Sequence, residues 1–194
     1  RLDWNVGGLG AGLRSLRGGT VENGWWRYYE VLYGVYERLR RRYPSLILEN
    51  CAGGGGRTDL GMVRLFSHTW VTDWQIAPRS FAITNGMTMA LPPEIVDRLV
   101  GGQSGFTAGD LDFQARLLLF ARPTLGFLRP EGGGWNPLLL ARIRRMVELY
   151  KGFVRPRLHG GRVFHHTPEV GSPEPRGWGV LEMASADGRS EEHT

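Results

Sequence analysis

Residues 46–61 read LILENCAGGGGRTDLG and predict a strand, a loop and the start of a helix. The apolar run at 46–49 predicts a short buried strand, and Glu49-Asn50-Cys51 marks its carboxyl end. Four glycines follow, Gly53 to Gly56, and they predict a loop in which the backbone is approached too closely for a side chain. Residues 59–66 then predict a short helix.

The same order of strand and helix recurs on both sides of this stretch. Short apolar strands that alternate with helices indicate a parallel sheet with helical crossovers on its faces. A doubly wound sheet and a (β/α)8 barrel both satisfy this α/β pattern. The predicted strands cover residues 1–5, 46–49, 69–73, 88–91 and 125–128, and the predicted helices cover residues 20–43, 59–66, 78–85, 109–120 and 137–154.

Composition narrows the class of protein. The 194 residues are 41% hydrophobic and 22% charged, as in an ordinary globular domain. The net charge is +5, and arginine carries nearly all of the positive charge, since Lys151 is the single lysine. We interpret this charge as a solvated, arginine-rich surface and expect neither a nucleic-acid partner nor a membrane-spanning segment. One cysteine, Cys51, excludes an internal disulfide.

The glycine loop lacks the rest of a phosphate-binding signature. No GxGxxG stands between a strand and a helix, and GxxxxGK[ST] is absent from the sequence. His165 and His166 have no carboxylate or cysteine at ligand spacing, so we expect no metal site and no cofactor. His68 is interpreted as structural, and Arg57 is expected to pair with a carboxylate such as Asp59 or Glu49.

The amino-acid composition changes after residue 158. Proline and glycine cluster in residues 159–177, which predicts a linker. Residues 178–188, WGVLEMASADG, predict a strand that runs into an Asp-Gly turn and opens a β domain. Residues 189–194, RSEEHT, resemble the conceptual translation of a sequencing adapter, so we expect them to be non-native.

Two aspartates, Asp3 and Asp73, lie at the carboxyl ends of predicted strands. In a barrel, Asp3 and Asp73 would face one mouth, because chemistry collects at the carboxyl ends of barrel strands. Two carboxylates that flank a bond are the arrangement that glycoside hydrolysis needs. For an isolated aspartate, a helix cap or a turn is the ordinary explanation.

Three motifs, taken together, carry a family resemblance. LDWN, ENCAGGGGRTDLGM and WVTD, in this order and at these separations, resemble glycoside hydrolase family 36, the α-galactosidases or melibiases. The resemblance extends over residues 1–188. It implies strands four to eight of a catalytic (β/α)8 barrel over residues 1–158, followed by the start of the family's C-terminal β domain. The chain would then be a fragment of a longer protein.

The resemblance also implies roles for individual residues. Asp3 matches the nucleophile and Asp73 the acid/base of a retaining mechanism. Arg1 stands where the family usually has lysine. The residues matched to the substrate pocket are Arg1, Asn5, Cys51, Gly53 and Gly54. The implied substrate is a galactosyl oligosaccharide, and the full-length protein is a possible homo-oligomer.

Alternatives within and outside this family stay open. A galactosyltransferase of the raffinose-synthase kind and an α-N-acetylgalactosaminidase would share the same two carboxylates. A non-catalytic carbohydrate-binding or structural barrel would use the fold without the reaction.

Overall fold

The computed structural model describes residues 2–3, 13–15, 19, 21–73, 79–100, 112, 115–116, 119–125, 137–167, 178–187 and 190–191. These form two compact units, residues 1–69 and residues 70–194. Within the described residues, no helix combines the length and the hydropathy needed to cross a bilayer.

The first unit is built on three short parallel strands. Leu2 lies opposite Asn50 and Asp3 opposite Cys51, so the first of these strands pairs with the strand before the glycine loop. That strand also pairs in parallel with the next one, which runs on to the first residue of the second unit. Two short antiparallel strands precede the first helix, with Leu13 opposite Asn23 and Ser15 opposite Val21. The elements are β1 (Leu2–Asp3), β2 (Leu13–Ser15), β3 (Val21–Asn23), α1 (Gly24–Arg42), β4 (Glu49–Cys51), α2 (Leu60–Val63) and β5 (His68–Trp70).

Helix α1 packs its aromatic stripe into the core of this unit. The three- and four-residue spacing of apolar residues predicts this helix, and its apolar face is confirmed. Trp25 and Trp26, at the start of the helix, are exposed, because the inward-facing stripe begins at Tyr29. The core residues are Tyr29, Leu32, Tyr33, Tyr36, Leu39, Leu48, Met62, Leu65 and Phe66.

The second unit continues the α/β pattern and adds antiparallel strands. Two strands pair in parallel, with Asp97 opposite Arg122 and Val100 opposite Leu125. The elements are α3 (Arg79–Ala90), a 3-10 turn (Pro93–Ile95), β6 (Val96–Val100), β7 (Arg122–Leu125), α4 (Pro137–Leu149), a π-helical turn (Tyr150–Val154), α5 (Arg155–Leu158), β8 (Arg162–His165), β9 (Leu181–Ala184) and β10 (Ser190–Glu191).

Several predicted elements change in the structure. Residues 88–91 were predicted as a strand, but most of them lie in α3, and the strand β6 that follows was missed. The predicted strand 125–128 begins earlier, at Arg122, and of the predicted helix 109–120 only parts lie within the described residues.

The segment near the carboxyl end is more structured than expected. Strand β8 lies inside the predicted linker and pairs antiparallel with β9. Strand β10 also pairs antiparallel with β9, with Ser190 opposite Ala184. The boundaries of the domains, the linker and the non-native tail stay predictions.

Candidate active site

The glycine loop begins and ends on buried polar contacts. Asn50, at the carboxyl end of β4, is almost fully buried, and its side-chain amide donates to the carbonyl of Arg57 and to Oγ1 of Thr69, both at 3.0 Å. The buried guanidinium of Arg57 donates in turn to the carbonyl of Cys51. These bonds hold both ends of the loop against the strands, and Asn50 therefore acts as a structural residue.

The backbone conformation of the loop explains the run of glycines. Gly53, Gly54 and Gly55 have φ of 52°, 72° and 113°, in the region that side chains disfavour. At Gly56 a Cβ would lie 2.8 Å from the carbonyl oxygen of Ala52, which also accepts the N–H of Gly56 at 2.7 Å. The loop geometry thus requires glycine by itself, whereas the sequence left open what approaches the backbone.

The residues at the start of this loop differ in exposure. Cys51 is buried as a free thiol, with 1% of its surface exposed. Gly53 is exposed and Gly54 is half-buried. Of the residues predicted to contact a sugar, Gly53 and Gly54 therefore reach the surface of this unit, whereas Cys51 is buried.

Helix α2 follows the loop, and Asp59 is its N-cap. The carboxylate of Asp59 accepts the backbone N–H of Met62 at 2.9 Å and the hydroxyl of Tyr33 at 2.8 Å. Burial, followed by the hydrogen bond to Asp59, raises the pKa of Tyr33 to about 12. Asp59 thus serves as helix cap and as partner of Tyr33, and the expected pairing of Arg57 with a carboxylate such as Asp59 or Glu49 stays a prediction.

Asp3 is the last residue of β1, opposite Cys51 in the parallel register. Its backbone therefore lies beside the start of the glycine loop, at the carboxyl end of the sheet. Arg1 and Asn5, the other residues predicted in this motif, lie outside the described residues.

Asp73 lies just beyond the next strand, in the second unit. Strand β5 ends at Trp70, earlier than predicted, and buried Val71 and Thr72 lead to an exposed Asp73. The indole Nε1 of Trp70 donates to Oδ1 of Asp73 at 2.9 Å. Sequence reasoning missed Trp70, although its three-residue spacing from Asp73 was visible.

Comparison with known families identifies the family to which this chain belongs. The melibiase family model matches residues 10–108, just over half of the chain. The chain belongs to the melibiase family. The resemblance to glycoside hydrolase family 36 is thereby confirmed.

Melibiase relatives are similar to this chain over part of their length. Alpha-galactosidase 2 of Pediococcus pentosaceus is 36% identical over 107 residues, which cover 54% of this chain and 15% of the relative. The bifunctional alpha-galactosidase/sucrose kinase AgaSK of Mediterraneibacter gnavus is 31% identical over 134 residues, covering 64% of this chain and 14% of the relative. The chain therefore spans about a seventh of these melibiases.

Two solved structures of the GH36 alpha-galactosidase AgaA from Geobacillus stearothermophilus share the fold. One, in complex with stachyose, has a TM-score of 0.70, and one, in complex with raffinose, has 0.71; each is 22% identical and covers 86% of this chain and 22% of the solved chain. The first carries an aspartate-to-alanine substitution and the second an aspartate-to-asparagine substitution. Between the two folds that the sequence left open, this likeness favours the barrel type.

Proposed function

We propose that this chain is the catalytic segment of a retaining α-galactosidase that hydrolyses terminal α-D-galactosyl residues of oligosaccharides. Membership of the melibiase family, whose relatives named above are alpha-galactosidases, is the observation that carries the proposal. The segment would contribute strands four to eight of the barrel, namely β1, β4, β5, β6 and β7, and the strands from β8 onward would begin a C-terminal β domain.

The spacing of two aspartates supports the assignment of the catalytic pair. The two AgaA proteins solved with stachyose and raffinose each have one aspartate replaced. Those two aspartates are as far apart along their sequence as Asp3 and Asp73 are along this one. Complexes with oligosaccharide substrates are expected when the replaced residue is needed for turnover.

In the proposed mechanism the two carboxylates act in sequence. Asp3 attacks the anomeric carbon and forms the glycosyl-enzyme, while Asp73 protonates the departing glycosidic oxygen. Asp73 then takes a proton from water, which attacks the anomeric carbon and releases galactose and free Asp3. For this mechanism we expect the two carboxyl groups to lie about 5–5.5 Å apart in the complete enzyme.

The glycine loop would form one wall of the galactose site. With three consecutive residues at positive φ, the loop presents backbone instead of side chains at its surface. Backbone N–H and C=O groups can then approach the hydroxyls of a pyranose. Cys51 would support this wall, Gly53 and Gly54 would contact the sugar, and Arg1 and Asn5 would complete the pocket beside the nucleophile.

The test uses the complete reading frame that contains this segment. With nitrophenyl α-galactoside and raffinose as substrates, we expect hydrolysis, and proton NMR should show α-galactose as the first product, because two displacements retain the anomeric configuration. Asp3→Ala should abolish turnover. β-Galactose as the first product, or full activity of Asp3→Ala, would contradict the proposal, and transfer of galactose to sucrose in preference to water would indicate a galactosyltransferase instead.

A further inference from the structure

The segment that follows the glycine loop is held by a side chain from helix α1. The hydroxyl of Tyr33 donates to Oδ1 of Asp59 at 2.8 Å, and the same oxygen accepts the N–H of Met62 at 2.9 Å. One carboxylate oxygen therefore joins α1 to the first turn of α2. This contact connects residues that are far apart in sequence, and it lies two residues beyond the end of the loop.

A glycine makes room for this contact. A Cβ at Gly61 would lie 2.6 Å from the hydroxyl oxygen of Tyr33 and 2.7 Å from its Cζ, closer than packed atoms approach. The phenol therefore lies directly against the backbone of α2. Tyr33, Asp59 and Gly61 fit one another as a set, which we call the Tyr33 latch.

The opposite side of the same segment is attached to the strands. Asn50 and Arg57 tie the loop ends to β4, and Oγ1 of Thr58 lies 3.1 Å from Oγ1 of Thr69 in β5. The residues that leave the loop are thus held from two directions. The strands hold one side, and α1 holds the other through the latch.

We propose that the Tyr33 latch sets the position of the glycine loop against the sugar in the galactoside site. The proposal rests on the proposed function, since it assigns this loop to substrate binding. Tyr33, Asp59 and Gly61 are positioning residues in this account, because they act through the loop and do not touch the substrate.

Physical reasoning explains why such a loop needs an external anchor. Glycines have no side chains to pack and the largest backbone freedom, so the position of the loop depends on how its ends are held. Removing one hydrogen bond to a carboxylate costs enough to permit a shift of one end. The loop is proposed to contact the sugar in the ground state and in the transition state alike. Loosening it should therefore raise KM and leave kcat nearly unchanged.

The matched pair of variants is Tyr33→Phe and Tyr29→Phe, made in the complete reading frame. Both tyrosines lie on α1, and their ring centroids are 5.8 Å apart. Within the described part of the chain, the hydroxyl of Tyr33 bonds to Asp59, whereas that of Tyr29 makes no hydrogen bond. Tyr33→Phe should raise KM for nitrophenyl α-galactoside between about twofold and tenfold, while Tyr29→Phe should leave it unchanged.

A second pair separates positioning from a general loss of folded protein. Asp59→Ala should raise KM at least as much as Tyr33→Phe, and Asp59→Asn should restore most of the affinity, because an asparagine oxygen can accept both hydrogen bonds. A purely structural role would reduce the folded fraction and hence the apparent kcat, with KM unchanged.

The outcomes distinguish this inference from the proposed function. If the wild-type enzyme hydrolyses the galactoside but Tyr33→Phe and Tyr29→Phe have equal KM, or if Tyr33→Phe lowers only kcat, the latch proposal is wrong and the proposed function stands. If the wild-type protein has no galactosidase activity, the proposed function itself fails.

Discussion

The indole N–H of Trp70 donates a hydrogen bond to the carboxylate of Asp73, with 2.9 Å between Nε1 and Oδ1. Trp70 is buried at the end of β5, whereas Asp73 is exposed three residues later. A rigid, buried donor thus limits the rotation of an exposed carboxylate. For a general acid, such restraint matters because proton transfer requires a defined approach to the leaving oxygen.

Removing this donor should affect substrates according to their leaving groups. We expect Trp70→Phe to lower kcat for raffinose about tenfold. This loss corresponds to the free energy of one hydrogen bond to a charged group. Nitrophenyl α-galactoside should be affected less in its first step, because its leaving group needs little protonation. Steady-state kinetics on both substrates would measure the difference. Trp178→Phe, at an exposed tryptophan of the same unit, is the control and should change neither rate. Equal losses on both substrates would contradict the role assigned to Trp70.

Azide should distinguish the two proposed carboxylate roles. In Asp73→Ala, nitrophenyl α-galactoside should still form the glycosyl-enzyme, while loss of the base slows attack by water. Azide needs no deprotonation, so it should restore turnover and yield α-galactosyl azide, since two displacements retain the configuration. In Asp3→Ala, any azide product should be the β-anomer, because a single displacement inverts the configuration of the α-galactoside. NMR of the products would decide, and reversed stereochemistry would exchange the two assignments.

Glycines of the loop and of a helix should respond oppositely to alanine. Gly55 has φ of 113°, so Gly55→Ala forces a side chain into a disfavoured backbone region and should destabilise the fold by about 1–2 kcal/mol. Gly86 lies in α3 with open space around an added Cβ, so Gly86→Ala should stabilise by about 0.5–1 kcal/mol. Urea unfolding of both variants would test this. A tolerated Gly55→Ala would show that the loop backbone differs from the one described.

Alkaline pH should weaken the Tyr33 latch. The pKa of Tyr33 is raised from 10.0 to about 12 in the folded protein, so the unfolded chain loses this proton first as the pH rises. The contribution of Tyr33 to stability is therefore full below about pH 10 and is lost between pH 10 and about 12. Across this window the urea midpoint of the wild type should fall more steeply than that of Tyr33→Phe, which has no proton to release. Parallel curves for the two proteins would contradict the assigned pKa.

Local sequence signals predicted the elements whose apolar residues repeat regularly. Helix α1 was predicted because its inward-facing residues, from Tyr29 to Leu39, follow the helical period. A strand before the glycine loop and a helix after it were predicted from a short apolar run, the loop and Asp59. The strand was placed too early, at 46–49, because β4 lies at Glu49–Cys51 and Leu46 and Ile47 are exposed. The family followed from three motifs in order, of which the middle one, ENCAGGGGRTDLGM, is the most specific.

Elements whose polar residues are buried escaped prediction. Thr88 suggested a strand because it is β-branched, but its hydroxyl bonds to the carbonyl of Thr84 within α3, which satisfies it inside a helix. In β6, Asp97 and Arg98 interrupt the apolar pattern, yet both are buried, and Asp97 lies 3.5 Å from Arg122 of the paired strand. No pattern in one segment can reveal a partner that is supplied by another.

The sequence by itself determined the family, the α/β alternation and the presence of a glycine loop between β4 and α2, because motifs, hydrophobic period and turn residues are local properties. Only the tertiary structure decided why the loop is glycine-rich and what holds it. The positive φ of Gly53 to Gly55 is a backbone conformation, and the bond from Tyr33 to Asp59 joins side chains that are distant in sequence. The same holds for the parallel register that sets Asp3 beside Cys51. Such relationships depend on how separate segments pack, and packing is decided by the whole unit at once.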